Sequence, residues 1–245
     1  MESGYYAACT ALVTRMQALD TIANNLANAS TVGYRSAQDD FTAVLAGAQG
    51  ASGTALNQAI NNYGILGGSS LDFSEGSLQT TGNDLDVAIE GKGFFVVQTA
   101  NGPVYTRNGN FQLSAQNQLI TSAGDAVMGD RGVLTLPPGP VSIAADGTIS
   151  SNNAVVGKLK IVEFPPATQI TSAGGTYYSA PVKAAVPATA SSLRQGALES
   201  SNVNPMEGMV ELITAQRSAE TMQKALAMFS SEMDKTAAQD LPKVS

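Results

Sequence analysis

The sequence predicts an α+β fold: N- and C-terminal α-helices pairing as a coiled-coil-like helical domain, with a central, mostly antiparallel β domain. Three observations carry this reading. Residues 2–28 and 205–236 each place apolar residues at alternating spacings of four and three, the mark of an a/d seam. Between them the pattern changes to a period of two, the mark of strands. That middle is punctuated by Asn-Gly, Asp-Gly and Pro-Gly turns. The implied segments are 1–35 for the N-terminal helix and 36–80 for a Gly/Ala-rich extended connector. The β domain takes 81–192 and the C-terminal helix 193–245.

In the first helix the seam is Tyr5, Cys9, Leu12, Met16, Leu19, Ala23 and Leu26, widened by Ala8, Ile22 and Ala27. The opposite side (Thr10, Thr14, Gln17, Thr21, Asn24, Asn28) is polar but uncharged, and from Ser3 to Tyr34 only Arg15 and Asp20 carry charge. A solvated helix shows a charged outer face. This one reads as enclosed by protein, whether by neighbouring subunits or by the rest of a monomer. Cys9 sits on the apolar stripe and reads as a packing residue rather than a reactive thiol. As the sole cysteine it excludes an internal disulfide. The helix is expected to stop near Asn28, since asparagine tolerates the left-handed conformation, and Gly33 can supply a positive φ in the turn beyond.

Thr42 to Leu71 carries no charge and is rich in glycine. It reads as extended chain that orders against neighbouring subunits rather than as a solvated linker. From Thr81, Leu85, Val87 and Ile89 alternate with Asp86 and Ala88, and Phe95 and Val97 resume the alternation. On this pattern Asp86 belongs on a solvated face. Asn101-Gly102, Asn108-Gly109 and Asp146-Gly147 predict hairpin turns. Many short strands at intervals of about ten residues predict an antiparallel sandwich or barrel-like domain.

The last helix has a strong start: Asn204 as cap, Pro205 at the first helical position and Glu207 three residues after the cap. Its seam is Leu212, Ala215, Ala219, Met222, Leu226, Phe229 and Met233, with Val210 and Ile213 beside it. Gly208 inside the helix costs about 1 kcal/mol relative to alanine and invites a close backbone approach.

Composition removes several function classes. Charged residues make up 13% of the 245, and the net charge of −7 comes with no Lys/Arg cluster, which argues against a nucleic-acid partner. The chain has no histidine, hence neither the commonest metal ligand nor the usual general base. Gly91-Lys92-Gly93 lacks the rest of a phosphate loop, and Asp39-Asp40, Asp84, Asp86 and Glu90 form no convincing acid/base pair. No enzyme, cofactor, metal site or small-molecule substrate is expected. No apolar run is long enough to span a membrane, and Met1-Glu2-Ser3-Gly4-Tyr5 lacks the start of a secretory signal.

Ala23-Asn24-Asn25-Leu26-Ala27-Asn28 followed by Thr31-Val32-Gly33-Tyr34-Arg35 resembles the N-terminal signature of bacterial flagellar rod and hook proteins. Leu198-Glu199-Ser200-Ser201-Asn202-Val203-Asn204-Pro205, with Met209-Val210 and Ala215-Gln216-Arg217, resembles their C-terminal signature. Leu85-Asp86-Val87-Ala88-Ile89-Glu90-Gly91-Lys92-Gly93-Phe94-Phe95 and Tyr105-Thr106-Arg107-Asn108-Gly109-Asn110-Phe111 are similar to the β segment of the same family. Met128-Gly129-Asp130, Leu136-Pro137-Pro138-Gly139 and the chain length look more like the proximal-rod branch, with the distal-rod branch as the alternative.

The resemblance implies a structural subunit of the basal-body rod, polymerising with itself and with other rod subunits. It implies export across the cytoplasmic membrane by the flagellar type III apparatus, without a cleaved signal peptide, to the periplasmic rod. The assembly interface it implies comprises Tyr5, Cys9, Leu12, Met16, Leu19, Ile22, Ala23, Asn24, Asn25, Leu26 and Asn28, then Gly33, Tyr34, Asn202, Val203 and Asn204, and on the last helix Val210, Leu212, Ile213, Ala219, Met222, Leu226, Phe229 and Met233. A secreted binding protein whose β domain is the adhesive part remains the reading from another class.

Overall fold

Phe94-Phe95-Val96-Val97 is a run of four buried apolar residues in a single strand, and two cores are built on its two faces. Phe95 and Val97 point one way and Phe94 and Val96 the other, as the period of two requires. A strand covered on both faces reads as continuous apolar sequence rather than as alternation. The computed structural model describes residues 2–39, 69–152, 154–166 and 168–240. Most of the 36–80 connector therefore lies outside the described residues.

Helix α1 spans Glu2–Ala27 and helix α2 spans Pro205–Asp240. Between them run β1 (Ala37–Asp39), β2 (Ser69–Leu71), β3 (Leu78–Thr80), β4 (Val87–Glu90), β5 (Phe94–Thr99), β6 (Gly102–Thr106) and β7 (Phe111–Leu113). Then come β8 (Leu119–Thr121), β9 (Ala126–Gly129), β10 (Gly132–Val133), β11 (Val141–Ile143), β12 (Thr148–Ser151) and β13 (Ala154–Lys158). The last strands are β14 (Ile161–Glu163), β15 (Thr171–Gly174), β16 (Tyr177–Ser179), β17 (Val186–Pro187), β18 (Ser192–Gln195) and β19 (Ala197–Glu199).

The main antiparallel sheet runs β15-β16-β6-β5-β9-β8-β7 and curls into a half-barrel, with β10, β14 and β17 attached at its sides. A β11-β12-β13 sheet and the β18-β4 and β19-β3 pairs complete the described sheets, beside the two-stranded β1-β2. Inside the curl, Phe95, Phe111, Leu119, Leu136, Ile149 and Leu159 form the larger core, together with Val87, Ile89 and Leu193. On the other face of β5, Phe94, Val96, Tyr105, Val162 and Tyr178 form the second. Phe94 meets Tyr178, Phe164 and Phe73 edge-on at 5.7–5.9 Å between ring centroids, the geometry that aromatic quadrupoles prefer.

The chain divides into two units: 1–26, 38–69 and 204–245 carry the helices, and 27–37 and 70–203 form the sheet unit.

The expected fold class is corrected here. The chain is mostly β, and its two helices do not make a coiled-coil-like domain. Met16 on the α1 seam is 51% exposed, and of the α2 seam's described side chains only Ala219 and Leu226 are buried. The reason is visible in the residues. A coiled coil needs branched apolar knobs on one stripe, whereas these seams hold Cys9, Ala23, Ala215 and Ala219. Val13, Met206, Val210 and Ile213 lie off the seams and are exposed. Spacing alone reports a stripe, not the volume needed to close it.

Two local expectations are also corrected. Asp86 is buried, at 3% exposure, because the backbone before β4 is enclosed by a polar loop rather than by water. Asn108-Gly109 is not a hairpin turn: β7 pairs with β8, not with β6. Gly109 instead lies against β4, where its carbonyl accepts the Val87 N–H at 3.1 Å.

Candidate functional site

The sequence-expected interface residues fall into two groups. On α1, Cys9, Leu12, Leu19, Ile22, Ala23, Asn25 and Leu26 are half-buried, and Asn24 is exposed like Met16. On α2, Leu212 and Met222 are half-buried, Ala219 and Leu226 are buried, and Val210 and Ile213 are exposed. Tyr5, Phe229 and Met233 lie on these helices, but their side chains are outside the described residues. At Gly208 the second helix lies close to the first, and a β-carbon there would sit 3.6 Å from Leu26 Cδ1. The start of α2 follows its local chemistry. Asn204 is the cap, accepting the Met206 N–H on its side chain at 3.1 Å and the Gly208 N–H on its carbonyl at 2.9 Å.

The second group lies in the sheet unit: half-buried Asn28, buried Gly33 and Tyr34, and half-buried Asn202 and Val203. The chain turns after α1 with the Thr31 N–H on the Asn28 carbonyl at 3.0 Å and the Thr31 hydroxyl on Asn28 Oδ1. Gly33 has φ +69° and donates its N–H to the Glu199 carbonyl at 2.8 Å. Any other residue there would meet the backbone of Arg107 and Asn108. Asn202 is a bracket. Its Oδ1 accepts the Ser36 N–H at 2.8 Å, and its Nδ2 donates to the carbonyls of Asp72 at 2.9 Å and Ser74 at 3.4 Å.

At the centre is a cluster of charge that sequence reasoning does not single out. Arg35 Nη2 donates to Glu199 Oε1 at 2.5 Å, and Arg107 Nη1 reaches Glu199 Oε2 at 3.5 Å. All three side chains are no more than 1% exposed. The Gly76 N–H adds a third donor to the Glu199 carboxylate, on Oε1 at 3.0 Å. The Tyr178 hydroxyl accepts the Arg35 N–H at 2.9 Å and donates to the Gly33 carbonyl at 3.4 Å. Arg107 lies 4.9 Å over the Phe94 ring, so the cluster rests on the second core.

Burial dominates the electrostatics. Desolvation lowers the Arg107 pKa to about 10, with Glu199 opposing that shift and Arg35 adding to it. Desolvation also pushes Tyr178 up to about 12, although the Arg35 N–H and both guanidiniums pull it the other way. The cluster ties three distant stretches of chain to one point.

No single window of sequence could reveal the cluster, since Arg35 and Glu199 are 164 residues apart. The available signal is indirect. Each of the three charges sits inside one of the motifs that carry the family resemblance.

Comparison with known proteins sharpens this. Residues 6–35 match the model of flagella basal body rod proteins, and 88–151 match the D1 domain of the flagellar hook proteins FlgE/F/G. Residues 194–240 match the C-terminal model of flagellar basal body rod FlgEFG proteins. Each matched stretch contributes one member of the cluster: Arg35, Arg107 and Glu199 in turn. The chain is 32% identical to the flagellar basal-body rod protein FlgF of Caulobacter vibrioides across the whole of both chains. It is 35% identical to FlgF of Salmonella typhimurium over 92% of this chain and 93% of that one. It is 32% identical to the flagellar basal-body rod protein FlgG of Bacillus subtilis over 85% of this chain and 88% of that one. Full-length identity and three family matches in chain order lead to one conclusion: the chain belongs to the flagellar basal-body rod proteins, as a FlgF-like structural subunit.

Proposed function

We propose that the chain is a subunit of the proximal part of the rod and polymerises through its terminal helices. The observation that carries this is the apolar surface left in water on those helices. Val13 and Met16 on α1, and Met206, Met209, Val210, Ile213 and Met228 on α2, are each more than half exposed. Exposed apolar surface on this scale calls for a covering partner, and another subunit of the same kind supplies it. Contacts that are head-to-tail and do not close on themselves generate a helical filament. The contacts proposed are the two seams with Ile22, Val210 and Ile213 beside them, Asn24, Asn25 and Asn28, and the Gly33–Tyr34 and Asn202–Asn204 segments.

In this reading the subunit leaves the cytoplasm unfolded through the flagellar type III apparatus, with no cleaved signal peptide. It joins the periplasmic rod and passes torque through packed helices, without catalysis, cofactor or nucleic acid. Among the described residues no helix is long and apolar enough to cross a membrane. Leu19→Asp or Leu226→Asp is expected to remove the subunit from purified basal bodies and abolish swimming, while the circular dichroism of the sheet unit stays unchanged. Normal basal bodies in both variants would overturn the reading. The likeness to FlgG keeps the distal rod as the second reading. Rescue of a strain lacking its distal-rod subunit, but not of one lacking its proximal-rod subunit, would select it.

A further inference from the structure

One carboxylate faces two guanidiniums in the Arg35–Glu199–Arg107 cluster, so its formal charge is +1 (two positive, one negative) and it is closed to solvent. Arg35 Nε and Nη1 and Arg107 Nε are buried with no hydrogen-bond partner. Such an arrangement is already short of acceptors. A buried charge persists only while it is paired, and removing one partner is far more costly than the pair is worth.

The three charges belong to separate stretches of chain, and two of these flank the helices. If Leu198–Asn202 lifted away, Glu199 would leave with it and two arginines would remain without a counter-ion. The same movement would strand the Gly33 and Gly76 N–H groups, both of which donate to Glu199. If Thr31–Ser36 lifted away, Glu199 would lose its shorter ion pair. The Tyr178 hydroxyl would lose both its donor and its acceptor, and Asn202 Oδ1 would lose the Ser36 N–H. Neither stretch can leave without exposing a deficit in the other.

We propose that Thr31–Ser36 and Leu198–Asn202 dock and undock as one cooperative unit latched by Glu199. A fluctuation that frees the segment leading out of α1 also frees the segment leading into α2. The sheet unit then has only two states at this edge, both segments held or both released. The proposal stands on geometry within the sheet unit and is independent of which part of the rod the subunit occupies.

Native-state hydrogen exchange on the full-length chain, read by mass spectrometry across a denaturant series, tests it. The reporters are the amides of Gly33, Arg35, Ser36, Gly76 and Ser200, all hydrogen-bonded at this edge. In the wild type, peptides covering 31–36 and 198–202 are expected to share one opening free energy and one denaturant slope. Glu199→Gln is expected to speed exchange in both peptides by on the order of a hundredfold or more, leaving the β5–β6 hairpin unchanged. Arg107→Met keeps a neutral Arg35–Glu199 pair and is expected to speed both by less than about tenfold.

Different opening free energies for the two peptides in the wild type would overturn the proposal. So would acceleration of only the 198–202 peptide by Glu199→Gln, or an equal effect from Arg107→Met. Should Glu199→Gln fail to fold, the wild-type isotherms and Arg107→Met decide the question.

Discussion

A β-carbon on Gly33 would fall 2.5 Å from the carbonyl carbon of Arg107, and Gly33 already has φ +69°. Space and backbone conformation both exclude a side chain. Gly33→Ala is therefore expected to cost about 2–4 kcal/mol, since positive-φ strain adds to a backbone clash that cannot relax without moving the cluster. Equilibrium urea unfolding of the two chains measures it. A difference below about 1 kcal/mol would mean that the two backbones can separate at little cost.

Gly208 behaves in the opposite way. An added β-carbon there would be in ordinary van der Waals contact with Leu26, at 3.6 Å. The helical backbone of α2 accepts alanine, so Gly208→Ala is expected to stabilise the helix by about 0.5–1 kcal/mol. Thermal melts followed at the helical circular-dichroism band should shift upward. A downward shift would show that the contact with Leu26 requires the bare backbone.

Tyr178 predicts a pH dependence with a definite sign. Its folded pKa of about 12 lies above the ordinary 10.0, so the neutral phenol is favoured by folding. That contribution is fully present below pH 10, where the phenol is neutral in both states; as pH rises from 10 toward 12 the unfolded chain ionises first and the contribution is lost. Arg107 runs the other way over the same window. With its folded pKa of about 10 below the ordinary 12.5, the native state sheds that proton first and the cost of burying the charge is relieved. Tyr178→Phe removes the first effect and leaves the second. The wild type should therefore lose on the order of 2 kcal/mol relative to Tyr178→Phe between about pH 9 and about pH 11.5. Paired urea titrations at the two pH values test this, and a constant difference would contradict it.

Asp86 is the buried acceptor of a polar loop. Its Oδ2 takes the Thr81 hydroxyl at 2.7 Å, and its Oδ1 takes Nδ2 of Asn83 at 3.1 Å and of Asn110 at 2.9 Å. Asp86→Asn turns an amide donor toward other donors and is expected to cost about 1–3 kcal/mol. Asp84→Asn, on an exposed neighbour, should stay within about 0.5 kcal/mol. Equal effects in the two variants would mean that the loop donors find water instead.

Local chemistry is the legible part of this molecule. Asn204-Pro205 starts a helix because both residues act within one turn, and the hairpin expected at Asn101-Gly102 forms there, with Ala100-Asn101 as its two-residue loop and Gly102 opening β6. The family signatures are legible because they are contiguous. What escapes is non-local. Arg35 and Glu199 look like two ordinary charges until the sheet brings them together. Asp86 looks solvated because its own strand cannot report the loop that folds over it. The coiled-coil expectation fails for a related reason. A seam of four-three spacing describes one helix, and Ala219 or Cys9 cannot say whether a neighbour fills the space beside it.

The Gly33 N–H on the Glu199 carbonyl has a consequence for how this architecture can change over generations. It holds the stretch by which the sheet unit begins, 27–37, against the stretch by which it ends, so two ends of that unit are tied at one place. Residues added at far turns such as Gly102, Gly124 or Gly132, where a side chain would meet nothing within 4 Å, leave that doorway unaltered. A change of length at those turns is absorbed within the sheet unit, and the Gly33–Glu199 contact is kept.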